Sequence, residues 1–363
     1  MDDNVSVFAF YNNKGGVGKT TLSSNVAAIY AKRHPNIQVL VIDMCPQANI
    51  SQFLLGGGET GYYKNQRLQS QSSRKNIVGF IDWILNGNDK FQSINTTYKI
   101  NVSKYNENIT SNLYLIAGDS FLESLSLSLN YAVINPANIN AWKNFMTSIK
   151  RLCREEFNKD TEKKYDKMVV FIDCNPSFSI YTQMALVSAD KLIIPMMADF
   201  SSIEGIKGIM TLLYDEYPTS ALKKYSENIM TFNKQIKRFN LKLPVIDTFV
   251  FNNYTCGSNG IAKAYNSLKK ELVKFCLEQY DRFPQYFTQK KLGKGKVWED
   301  MYISDVKDFH SIGRISSTLG IPISELNKQS NYEMPDGEKI TVTKDRYVDA
   351  VEPLDKLVEI ISI

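Results

Sequence analysis

The stretch VSVFAFYNNKGGVGKTTLSSNVAAIYAKR, residues 5–33, decides the fold. Its opening, VSVFAFY, is an apolar, β-prone run that reads as a buried strand. KGGVGKT follows at 14–20, and TTLSSNVAAIYAKR then reads as a helix broken by Pro35 and Asn36. A second apolar strand, IQVLVID, ends at Asp43. A strand, loop, helix and strand in this order seed a parallel sheet.

The loop carries the chemistry. Against the phosphate-loop pattern G-x-x-x-x-G-K-[ST], the first position is Asn13, and Lys14-Gly15-Gly16-Val17-Gly18-Lys19-Thr20 complete it. Glycines let backbone N–H groups turn inward around phosphate oxygens. The following helix start adds partial positive charge. Lys19 suits the β- and γ-phosphates, the Thr20 hydroxyl suits Mg²⁺, and Thr21 follows in the first helical turn. Asp43 and Asp173 each end an apolar strand, IQVLVI and MVVFI. In a parallel sheet these ends share one edge with the loop, where carboxylates can serve the Mg²⁺ shell.

Further strands are expected at LYLIAG, KMVVFIDC, KLIIPM, PVIDTFVFNN and MYISDV, with helices between them. A helix at SSIEGIKGIMTLLYDEY is expected to open with a capping box, Ser201 to Glu204. The polar stretch 56–76, GGGETGYYKNQRLQSQSSRKN, reads as a long mobile loop. Residues 283–301, aromatic and rich in Lys and Gly, read as a basic excursion. The expectation is a single doubly wound α/β domain over 1–363, its mostly parallel sheet flanked by helices.

Composition narrows the class. The chain has 363 residues, 43% hydrophobic and 22% charged, which is ordinary for a globular protein. No apolar run is long enough to span a membrane, and MDDNVSVFAF is no signal or transit peptide, so a cytoplasmic location is expected. Five cysteines without a CxxC pair, and two histidines, argue against a disulfide framework, a zinc site or an iron–sulfur cluster. The net charge of +5 is uneven: residues 221–300 hold 15 Lys/Arg against 7 Asp/Glu. This segment is a candidate polyanion-binding face.

Taken together, the motifs resemble the ParA family of partition ATPases, the deviant Walker A branch of the P-loop NTPases. KGGVGKT resembles the family's K-G-G-x-G-K-[ST], DMCPQANIS (43–51) its D-x-D-P-Q-x-N segment, and FIDCNPSFS (171–179) its Walker B strand. LIIPMMADFSSIEGI (192–206) resembles the family segment with I-P and a later L-E-G. The resemblance implies ATP and Mg²⁺ as cofactors and an ATP-dependent homodimer in which Lys14 crosses to the partner's nucleotide. It implies that Asp173 acts on Mg²⁺ through water, with Thr20 and Asp43 nearby. It places Asn252, or the adjacent Asn253, against the adenine. It further implies nonspecific DNA binding on the nucleoid and a ParB-like, centromere-binding partner.

One departure bears on catalysis. Cys45 stands where the family carries a second aspartate that positions the attacking water. A thiol is a poor acceptor, so either another group orients the water or turnover is slow or partner-stimulated. For DNA, basic residues are needed on the surface, and the candidates are Lys234, Lys237, Arg238, Lys290, Lys291, Lys294 and Lys296. With strand one expected from Val5, no operator-reading domain is expected ahead of it, and operator-specific repression is not the expected role. A MinD-like membrane role is disfavoured by the acidic tail VDAVEPLDKLVEIISI. An ATP-switched positioning or defence protein for another cargo remains the alternative.

Overall fold

The computed structural model describes residues 4–87, 94, 96–135, 137–159, 164–254, 260–291, 293 and 295–361, with backbone alone at 253–254 and 260–265. Its strands are β1 (Val5–Phe10), β2 (Ile37–Met44), β3 (Ile100–Asn101), β4 (Leu113–Ile116), β5 (Lys167–Cys174), β6 (Lys191–Met196), β7 (Val245–Tyr254) and β8 (Ile303–Lys307). They form one sheet in the order β3-β4-β2-β5-β1-β6-β7-β8. Every pairing is parallel except that of β3 with β4. A separate hairpin joins β9 (Asn331–Glu333) to β10 (Lys339–Thr341).

The central strands are apolar on both faces because helices cover both. Val7, Ala9, Leu40, Ile42, Val170 and Ile172 face one core, shared with helices Ile77–Leu85, Ala141–Asn158 and Ile180–Ser188. Phe8, Phe10, Val39, Val41 and Phe171 face the other, shared with helices Lys19–Arg33 and Lys344–Ile360. The doubly wound, mostly parallel architecture read from the sequence is therefore the one observed. Among the described residues, no helix is long and apolar enough to cross a membrane.

Two segments differ from expectation. Within 56–76, read as a loop, residues Gly58–Gln69 form a helix that buries Gly61, Asn65 and Leu68. The glycines at its start are needed for close approach. Gly57 has φ 68°, and a Cβ there would lie 2.1 Å from the Gly320 nitrogen. The segment 283–301, read as an excursion, is anchored by its aromatic residues: Phe287 is buried and bridges Ile246, Phe283, Tyr286 and Trp298 pack against the core, and Trp298–Tyr302 form a short helix. Tyr280 meets Phe287, Trp298 and Tyr302, so aromatic burial anchors this segment.

Candidate functional site

Strand order builds the site. β5 lies between β1 and β2, and its Asp173 is in register with both Phe10 and Asp43. The loop leaving β1 therefore runs beside two strand-end carboxylates. Gly18 caps the helix Lys19–Arg33 with φ 85°. A Cβ at Gly18 would collide with the Asn252 amide at 1.9 Å, so only glycine fits. Gly15 and Gly16 are exposed, and a Cβ on either would meet nothing within 4 Å, leaving an open face over the loop.

Lys19 is buried. Its Nζ donates to the carbonyls of Asn12 (3.0 Å) and Lys14 (2.9 Å), which curls the loop around its ammonium. Burial pulls its pKa down, opposed by the charge of Asp173. Asn12 pins the loop start by donating to the Pro195 carbonyl at 2.7 Å and accepting from the Lys14 N–H. Lys14 itself turns back to form an ion pair with Asp199. Asp199 is the N-cap of helix Phe200–Tyr214, accepting from the Ser202 N–H at 2.9 Å. The expected capping box at Ser201 is therefore displaced: Ser201 donates to Asp199, and Glu204 pairs with Lys207.

Both strand-end aspartates are fully buried. Asp43 accepts from the Cys45 N–H (3.0 Å), the Ser51 N–H (3.2 Å) and the Ser51 hydroxyl (2.6 Å). Burial nevertheless pushes its pKa up to about 6. Asp173 accepts from the Thr20 hydroxyl at 2.8 Å through one oxygen, while its Oδ1 has no hydrogen-bond partner. Burial, then the charge of Asp43, raises it to about 7. Cys45 is half-buried, its Sγ 4.0 Å from the Asp173 carbonyl oxygen. Burial, then Asp173 and Asp43, keep its thiol protonated.

Asn252 is buried and donates to the Val17 carbonyl at 3.1 Å, while its Oδ1 lacks a partner. It lines a cleft of about 650 Å³ with Gly16, Gly18, Thr20, Thr21 and Phe309. The side chain of Asn253 lies outside the described residues. The open glycine face, the buried ammonium and the unpartnered Asp173 oxygen suit a phosphate chain with a hard divalent cation.

The basic candidates separate. Lys290, expected on the surface, has a buried side chain. Its Nζ meets Asp247 (3.2 Å), Thr248 (3.1 Å) and the carbonyls of Met301 and Ile360 (both 3.0 Å). Burial lowers its pKa, with Asp247 opposing. Lys234 donates to the carbonyls of Ser226, Glu227 and Ile229 at the end of helix Ser220–Glu227. Lys237, Arg238, Lys291 and Lys296 are exposed, and Lys294 lies outside the described residues. Sequence reasoning missed Asp199, Asn12 and Ser51. The cap pattern Asp-Phe-Ser-Ser was the available signal for the first.

A strand, a glycine loop and a helix facing paired strand-end aspartates define a P-loop nucleotide-binding protein. The chain belongs to the AAA_31 family, described as an AAA domain, whose model matches residues 5–221. Within it the chain is a ParA-type P-loop ATPase: it is 25% identical over 205 residues to the chromosome-partitioning ATPase Soj of Thermus thermophilus, covering 56% of this chain and 60% of that one. A Borreliella burgdorferi protein is 24% identical over 277 residues, 74% of this chain and 91% of its own. Among solved structures, a Borrelia burgdorferi plasmid partition protein bound to AMPPNP aligns at TM-score 0.50 and 20% identity, covering 98% of this chain and 97% of that one. A Cyanothece McdA–ATP complex aligns at TM-score 0.54 and 15% identity, covering 99% and 98%. At these identities the structural likeness speaks to the fold.

Proposed function

We propose that this protein is an ATP-switched ATPase that uses nonspecific DNA as a track and drives DNA partition with a centromere-binding partner. The observation that carries the reading is the phosphate loop itself, with Lys14 outside the cradle and Lys19 within it. The backbone N–H groups of residues 15–20 and the Lys19 ammonium bind the phosphates. Thr20, with Asp173 and Asp43 behind it, holds Mg²⁺, which neutralises phosphate charge when bound. Asn252 and the cleft beside Phe309 hold the base. Lys14 leaves Asp199 to meet the nucleotide of a second copy, as a trans-acting cation would. Cys45 cannot position water as a carboxylate does, so basal turnover is slow and is raised by the partner. Relatives named for chromosome and plasmid partition support this cargo.

Sedimentation with ADP or ATP, with and without DNA, tests the reading. ATP with Mg²⁺ should convert monomer to dimer and confer DNA binding, and ADP should do neither. Lys14→Ala should lose the dimer yet bind nucleotide, whereas Lys19→Ala should lose nucleotide binding. A dimer indifferent to ATP and to Lys14→Ala would end the model.

A further inference from the structure

We propose that Asp43, Cys45 and Asp173 form a cation site for a thiophilic divalent ion, Zn²⁺ or Cd²⁺, in the nucleotide-free protein. One carboxylate oxygen from each aspartate and the Cys45 Sγ all lie within 4.8 Å of one another. Independently, Asp173 Oδ1 is buried and has no hydrogen-bond partner. The neighbouring Lys19 ammonium does not satisfy it, since it is directed to the carbonyls of Asn12 and Lys14. A buried carboxylate oxygen without a donor, beside a second carboxylate in register on the next strand, is a cost that a cation removes.

The donor set selects the ion. Mg²⁺ demands near-octahedral oxygen ligation and dehydrates reluctantly. Two carboxylates and a thiolate instead suit Zn²⁺, which accepts sulfur and oxygen tetrahedrally. Roughly 2.3 Å to sulfur and about 2.1 Å to oxygen put tetrahedral donors about 3.4–3.6 Å apart, so from within 4.8 Å the site closes by up to about 1.4 Å on its ion. The outer shell is in place: Ser51 and the Cys45 N–H hold the Asp43 carboxylate, and Thr20 holds the other Asp173 oxygen. Binding converts the Cys45 S–H to a metal–sulfur bond and releases that proton to solvent. Three protein donors leave a fourth position for water. The ion would compete with the Mg²⁺–nucleotide for Asp43 and Asp173, so it holds the protein in a nucleotide-free state. The site requires no DNA, dimer or partner, and so stands apart from the partition reading.

Calorimetric titration of the nucleotide-free protein with Zn²⁺, and ultraviolet absorption on adding Cd²⁺, test this. The parent should take up one ion per chain and show a thiolate-to-cadmium charge-transfer band. Cys45→Ser should lose the band and bind Zn²⁺ weaker by about 10–100-fold or more. It should still bind Mg²⁺–ATP, which reports that the fold survives. X-ray absorption of the Zn²⁺-loaded parent, which needs no variant, should find one sulfur neighbour beside oxygens. No uptake by the parent, an undiminished band in Cys45→Ser, or zero or several sulfur neighbours would each overturn the proposal.

Discussion

Lys14 of the phosphate loop is ion-paired within its own chain to Asp199, the residue that caps helix Phe200–Tyr214. The loop lysine and the helix start are thus tied across 185 residues of sequence. Both side chains are partly exposed, and such pairs are worth about 0–1 kcal/mol. Burial works against the Asp199 charge, but Lys14 and the donors Ser201 and Ser202 hold its pKa below the usual carboxylate range.

Asp199→Asn isolates the charge, because asparagine caps a helix as well as aspartate does. Freed from its pair, Lys14 should be available to a second copy at lower cost. At most about 1 kcal/mol per copy, and so about 2 kcal/mol per dimer, the gain should lower the protein concentration for ATP-dependent dimerisation by up to about 30-fold. Light scattering across a dilution series reads this directly. Unchanged or weakened dimerisation would show that the pair does not restrain Lys14.

The buried aspartates make the nucleotide-free protein sensitive to pH. Burial raises Asp43 to about 6, and burial with the Asp43 charge raises Asp173 to about 7, both far above an unfolded aspartate. Between roughly pH 4 and 7 the native state therefore binds more protons than the unfolded chain, and stability falls as pH rises through this window. The Tm without nucleotide should be higher at about pH 5 than at about pH 7.5 by this contribution. Asp173→Asn, which removes the charge but keeps the shape, should flatten that dependence and raise the Tm at the upper end of the range. Calorimetry of both proteins across this range would expose an equal slope if the two carboxylates were not its source.

Lys290 separates stability from DNA binding. It is 3% exposed and paired with the fully buried Asp247, and removing one partner of such a pair costs about 3–5 kcal/mol. Lys290→Met should therefore lower the denaturant midpoint strongly while leaving the salt dependence of DNA binding as it was. Neutralising Lys237, Arg238, Lys291 and Lys296 together should do the reverse. For every DNA phosphate that these side chains neutralise in the parent, the log–log salt slope of the variant should be shallower by about 0.9. If the quadruple variant binds duplex DNA as the parent does, these side chains are solvated surface.

The contrast between Lys290 and its neighbours shows what a sequence carries. In KKLGKGK every lysine looks alike, and burial depends on an aspartate 43 residues earlier. The one local trace was an aspartate inside the apolar run PVIDTFVF. The phosphate loop, by contrast, was legible because its function lies in backbone conformation, which glycines and a strand–helix context dictate locally. Helix Gly58–Gln69 was missed because few of its side chains are buried, so it has little apolar periodicity to read. Its glycines signalled flexibility, whereas the structure uses them for close approach to Gly320. Asp43 and Asp173 were placed correctly as strand ends. Their register followed only once β5 was known to lie between β1 and β2.

Cys45 remains the sharpest test of catalysis. Its Sγ lies beside Asp43 and Asp173, on the edge that carries the phosphate loop. A protonated thiol there neither accepts strongly from water nor takes its proton. Water-orienting or general-base help is typically worth about 10²–10⁴-fold. Cys45→Asp should therefore speed single-turnover hydrolysis by about tenfold or more, even with imperfect support from its surroundings. The two side chains are close in size, so packing should survive. A third carboxylate beside Asp43 and Asp173 adds repulsion, and nucleotide affinity should fall unless Mg²⁺ is saturating. The comparison must therefore be made at saturating ATP and Mg²⁺, with quenched-flow detection of phosphate. The lifetime of the dimer on DNA should shorten in parallel with faster hydrolysis. Rapid hydrolysis in the parent, unchanged or slowed by Cys45→Asp, would assign the water to another residue and remove Cys45 from the catalytic account.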